Sequence, residues 1–102
     1  MITDEMRNTI RKQIGLGNIL CISGGRVHPT PTGIELPVSN CYHVRVDYDE
    51  GWDDYTVTRV LKRGGKEFIK GRVEHVYCDQ VGQMAYRAGM FLSWDEVEWV
   101  AG

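Results

Sequence analysis

No apolar run in this sequence approaches the roughly 18 residues that a membrane-spanning helix needs. Asp4 and Glu5 stand near the start, where a secretory or transit segment would be basic and apolar. Cysteine is scarce and odd in number: Cys21, Cys41 and Cys78 lie at long spacings, which is not the pattern of a disulfide framework. These absences set the expectation of a cytosolic protein. Neither sign of charge dominates, because 12 Lys and Arg oppose 14 Asp and Glu for a net charge near −2. The chain as a whole therefore has no general electrostatic pull toward nucleic acid or an anionic membrane, and binding of that kind would need local segregation of charge. Repeats, linkers and low-complexity segments are missing too. What remains, 102 residues with 42% hydrophobic and 25% charged side chains, is one domain with one core. A chain of this size hides about 60–70% of its unfolded surface.

Ile2, Met6, Ile10 and Ile14 recur every fourth residue, one stripe of a helix over 3–14. Thr3 or Asp4 can cap its start. Acidic Asp4 and Glu5 begin it, Arg11 and Lys12 close it, as the helix dipole favours, and Gly15 suits the C′ position. The short apolar run 19–23, bounded by Gly24-Gly25, fits a buried strand. Pro29 and Pro31 confine the next stretch to loop or sheet edge, with 34–38 able to form a short edge strand. Three β-type runs follow, 42–48, 55–61 and 67–77. Tyr42, Val44, Val46 and Tyr48 alternate with His43, Arg45 and Asp47, the period of a half-buried strand. Residues 49–54 (D-E-G-W-D-D) and 63–66 (R-G-G-K) are the two hairpin turns, and Gly71 suggests a bulge or a close backbone approach. Val81, Met84, Ala85 and Ala88 then return to helical spacing, with Asp79 as cap and Gly89 as stop. Gly82 weakens that helix by roughly 1 kcal/mol relative to Ala, and a continued strand is the alternative. Ser93 to Glu96 resembles a capping box, while alternation around Trp94 and Trp99 leaves a terminal strand open. The expected fold class is α+β: an N-terminal helix packed on a small antiparallel meander, with a short C-terminal helix.

Charge is segregated at the two hairpins. Arg59, Lys62, Arg63, Lys66, Lys70 and Arg72 gather around the second, near Tyr55, Phe68 and Tyr77. A basic ribbon with aromatic surfaces is one way to hold a nucleic-acid backbone; the plainer reading is a solvated face whose lysines protect a strand edge. Asp47, Asp49, Glu50, Asp53 and Asp54 gather around the first. The calcium hand-type loop needs a ligand at position 5, glycine at 6 and glutamate at 12; Gly51 and Thr58 occupy positions 5 and 12, so the match fails. Trp52 at that tip is either an exposed binding anchor or a ring folded over its own hairpin. Cys41 with His43, and His75 with Cys78, supply zinc-type ligands without zinc spacing. The Gly15-x-Gly17 and Gly24-Gly25 pairs make no phosphate loop, since the nucleotide patterns place the glycines between a strand and a following helix, whereas Gly15 and Gly17 follow a helix and precede a strand. Neither a paired-carboxylate site nor a nucleophile motif stands out. The expectation is a non-enzymatic protein without metal or cofactor.

Segments 9–13 (T-I-R-K-Q), 22–27 (I-S-G-G-R-V), 33–38 (G-I-E-L-P-V), 55–60 (Y-T-V-T-R-V) and 76–88 (V-Y-C-D-Q-V-G-Q-M-A-Y-R-A) together resemble a family of short proteins encoded by bacteriophages of actinobacteria such as mycobacteria. The resemblance spans roughly Thr9 to Phe91 and brings no catalytic or binding residues with it. It implies context: a small accessory phage protein acting in the bacterial cytoplasm, where such proteins bind host components. Two functions follow as expectations. One is binding of a host bacterial protein through a sheet edge or the acidic tip, with Trp52, Asp49, Glu50 and Asp53 as contact residues. The other is nucleic-acid binding through the basic hairpin. A homodimer paired through strand edges or the tail tryptophans is compatible with either.

Overall fold

The computed structural model describes residues 2–90, so the expected capping box and the alternative strand near the C-terminus lie outside the described residues. The elements run α1 (Asp4–Ile14), α2 (Leu16–Ser23), β1 (His28–Pro29), β2 (Gly33–Pro37), β3 (Tyr42–Asp49), β4 (Asp54–Arg63), β5 (Lys66–Val76) and α3 (Val81–Met90). All five strands form one antiparallel sheet in sequential order. With helices at the N-terminus, a meander sheet and a short closing helix, the fold is α+β.

Thr3 caps α1 by accepting a hydrogen bond from the Met6 amide at 3.1 Å. At Gly15, φ of 94° lets the chain turn a corner that a side chain would resist, and α2 starts at once. The run 19–23 is thus helix, not the expected strand. Three local features decide this. Asn18 Nδ2 donates to the Ile14 carbonyl at 2.8 Å, tying α2 to the end of α1. Ser23 Oγ donates to the Ile19 carbonyl at 3.1 Å, and Gly24 closes the helix in the left-handed conformation with its amide on Leu20. A short run that is apolar on every side carries no period, so strand and helix look alike in it.

β2 is not an edge strand either. It lies between β1 and β3 and is buried along its length. Gly33 is required there by space, since a Cβ would stand 1.8 Å from the Val46 carbonyl oxygen. The three strands of the meander fall close to where the alternation puts them. Ile34, Leu36, Val44, Val46, Tyr55, Val57, Val73 and Val76 point from one sheet face into the core. There they meet Ile10, Ile14, Ile19, Ile22, Val81, Met84, Ala85 and Ala88 from the three helices. Gly82 lets α3 come against the α1–α2 corner, where a Cβ would lie 2.5 Å from the Ile14 carbonyl oxygen. The opposite sheet face carries a polar cluster. Glu35 accepts from Arg45 at 2.9 Å and from Lys62 at 2.7 Å, and Arg45 also donates to Glu67 at 3.0 Å.

Candidate functional site

The last register pair of β3 and β4 is Asp49 opposite Asp54, leaving residues 50–53 as the turn. This tip is held by its own side chains. Asp49 Oδ1 accepts hydrogen bonds from the backbone amides of Gly51 (2.9 Å) and Trp52 (3.2 Å), the turn chemistry for which aspartate is suited. The Tyr48 hydroxyl donates to Asp53 Oδ1 at 2.6 Å, across a residue whose φ is 53°. That hydrogen bond to a carboxylate raises the Tyr48 hydroxyl's pKa above its ordinary value. Tyr48 in turn stacks at a tilt on Tyr55, with ring centroids 5.7 Å apart.

Trp52 is 71% exposed at the end of this turn. Its ring is not loose over solvent, because it meets His75 of β5 at 4.8 Å in an edge-to-face contact. His75 reaches that position through a β-bulge. Tyr55 pairs with Val76 but Val57 pairs with Val73, so β5 carries an extra residue, and His75 adopts φ of 58°. Asp54, buried at the sheet end, fixes the imidazole by accepting from Nδ1 at 2.8 Å. The hydrogen bond to this carboxylate raises the imidazole's pKa above its ordinary value, against a smaller opposing effect of desolvation. A buried carboxylate thus holds a half-exposed imidazole, the imidazole backs an exposed indole, and Asp49, Glu50 and Asp53 surround it as exposed residues.

The basic hairpin is placed differently. Arg59 is only 4% exposed, with its guanidinium 4.4 Å over the Tyr42 ring. Lys62 is committed to the Glu35 cluster, and Arg72 lies 3.7 Å from Glu74. Arg63 and Lys66 are exposed at the turn, and Lys70 is half-buried at a second bulge, between the pairs Arg59–Gly71 and Val60–Ile69. The six cations expected as one patch therefore lie in a stack, an ion-pair cluster and a turn. The turn itself is at the opposite end of the sheet from Trp52.

Trp52 and its carboxylates stand out in the sequence, whereas the support from His75, Asp54 and Tyr48 does not. An antiparallel register that sets the end of β5 beside the start of β4 would have brought His75 near Asp54. The bulge that turns the imidazole toward Trp52 leaves no such mark. The three cysteines are free and exposed, and among the described residues no group of three or more His, Cys, Asp or Glu is placed to hold a metal ion. No family model matches this chain, and neither a curated protein nor a solved structure does.

Proposed function

We propose that this chain is a non-enzymatic binding module that docks on a host bacterial protein through the Trp52 tip, as a small phage accessory protein modulating growth or defence. The observation that carries the reading is a large exposed indole on a turn that is already built. Ordering a loop on binding costs roughly 0.5–1.5 kcal/mol per immobilised side chain, and a turn closed by the Asp49, Tyr48 and His75 contacts avoids much of that cost. Tryptophan is the side chain that most often dominates a protein interface. The ring of Asp49, Glu50 and Asp53 suits a partner with an apolar pocket rimmed by arginine or lysine. Asp54 and His75 resemble the orienting half of a catalytic triad, but among the described residues the imidazole's partners are Asp54 and Trp52, an arrangement for positioning a ring. The host and phage context rests on the sequence resemblance alone.

The test is capture from an actinobacterial host lysate by the tagged wild type and by Trp52→Ala, each with and without nuclease. The expected result is a protein retained by the wild type, insensitive to nuclease and lost with Trp52→Ala. Truncating an interface anchor costs about 2–4 kcal/mol, whereas an exposed position should leave stability within about 0.5 kcal/mol. Capture that disappears with nuclease, falls steeply with salt and survives Trp52→Ala would instead favour nucleic-acid binding by the Arg63–Lys66 turn.

A further inference from the structure

We propose that the chain's own C-terminal segment, residues 91–102, docks on the outward face of α2. This helix is apolar on both sides. Ile19 and Ile22 enter the core, while Leu16 and Leu20, one turn apart on the adjoining flank, are 71% and 53% exposed. Two neighbouring exposed leucines make an apolar patch of the kind that marks a contact surface. Between the leucines and Cys21 sits Gly17, where an added Cβ would meet nothing within 4 Å. No described neighbour demands glycine there, although Ala would favour the helix by roughly 1 kcal/mol. The missing side chain leaves open space beside the two leucines.

Two open clefts flank this face. One, of about 390 Å³, is lined by Arg11, Lys12, Leu16, Ile19 and Gly25. The other, of about 430 Å³, lies at the C-terminal end of α2 and includes Cys21, Gly24, Arg26, Pro37 and Met90. Met90, the last described residue, lines the second cleft. The segment that follows reads F-L-S-W-D-E-V-E-W-V-A-G: Phe91, Leu92, Trp94, Val97, Trp99 and Val100 with three carboxylates, Asp95, Glu96 and Glu98, and no cation. Its apolar residues match the leucine face. Its carboxylates match the rim of Arg11, Lys12 and Arg26. Reach is ample, since eight helical residues span about 12 Å and twelve residues extend to about 40 Å. Tethering puts the segment at roughly millimolar effective concentration, so modest contacts suffice to hold it.

The test uses the full chain carrying Trp52→Phe, so that Trp94 and Trp99 alone report by fluorescence. The expected emission is blue-shifted from that of water-exposed tryptophan and unchanged over a hundredfold dilution. Leu16→Glu with Leu20→Glu should shift it to the red. Chymotryptic cleavage within 91–99 should also rise by roughly tenfold or more, given the apolar contact each leucine would lose. Asp95→Lys, Glu96→Lys and Glu98→Lys together leave every described residue untouched and should give the same red shift, so a failure of the leucine variant to fold does not shelter the proposal. Water-like emission in the parent overturns it, as does a blue shift that persists in both variants. Loss of the blue shift on dilution also overturns it, since the occupant would then be a second copy.

Discussion

Gly82→Ala sets two effects of opposite sign against each other. In a helix taken alone, alanine is better than glycine by about 1 kcal/mol. Gly82 is the second residue of α3, however, and it faces the α1–α2 corner. A methyl carbon there would stand 2.5 Å from the Ile14 carbonyl oxygen and 2.9 Å from Asn18 Nδ2. Ordinary carbon–oxygen contact begins at about 3.3 Å, so the helices must part by roughly 0.8 Å against backbone that cannot rotate away. Overpacking of this kind costs about 1–3 kcal/mol. The hydrogen bond from Asn18 to Ile14, at 2.8 Å, occupies the same space, and its loss adds about 1 kcal/mol. Net of the propensity gain, the variant should be less stable by about 1–3 kcal/mol, a fall in melting temperature of roughly 5–20 °C for a domain this size. Urea titration with an unchanged m-value reads this directly. A midpoint that rises would mean that α3 does not lie against this corner as described.

Further outcomes follow from the charged groups. Desolvation raises the Glu35 pKa, but hydrogen bonds from Lys62 and Arg45 outweigh it, and the carboxyl's pKa lies below its ordinary 4.5. The unfolded chain therefore binds that proton first. Stability from Glu35 is complete above pH about 4.5 and lost as pH falls through the native value. Glu35→Gln should cost about 1–3 kcal/mol at pH 7 and flatten the acid limb of a stability–pH curve; an unaltered limb would contradict the cluster. His75 has the opposite sign: its raised pKa means that its contribution is complete below pH 6.5 and lost as pH rises through the native value. Asp54→Asn should bring that pKa down, as an NMR titration of the ring would register, and no change would deny the pairing. Reversing Arg63, Lys66 and Lys70 to Glu should leave partner capture unchanged, and lost capture would shift the site to the basic turn.

The meander was legible because Val44 and Val46, then Tyr55 and Val57, alternate with polar residues over strands long enough to show a period of two. The N-terminal helix was legible from the spacing of its isoleucines and from Thr3. α2 was not, because eight residues with little polar relief have no readable period and the deciding bonds, Asn18 to Ile14 and Ser23 to Ile19, are made only once the helix exists. β2 was misplaced at an edge because Pro29 belongs to β1, a two-residue strand that shields it. Segregation of charge between the hairpins could be read directly. The stacking of Arg59 on Tyr42 and the capture of Lys62 by Glu35 could not, since both depend on cross-strand register. At the tip, Trp52 and its carboxylates were visible in sequence, whereas the bulge at His75 is a tertiary outcome.

The central claim is that the Trp52 turn is rigid before it meets a partner. Backbone ¹⁵N relaxation of residues 49–54, with the Trp52 indole N–H as a seventh probe beyond the six backbone amides, measures that directly. Order parameters near those of the flanking strands, about 0.85, are expected. Values below about 0.6 across the turn, with the strands remaining rigid, would contradict it.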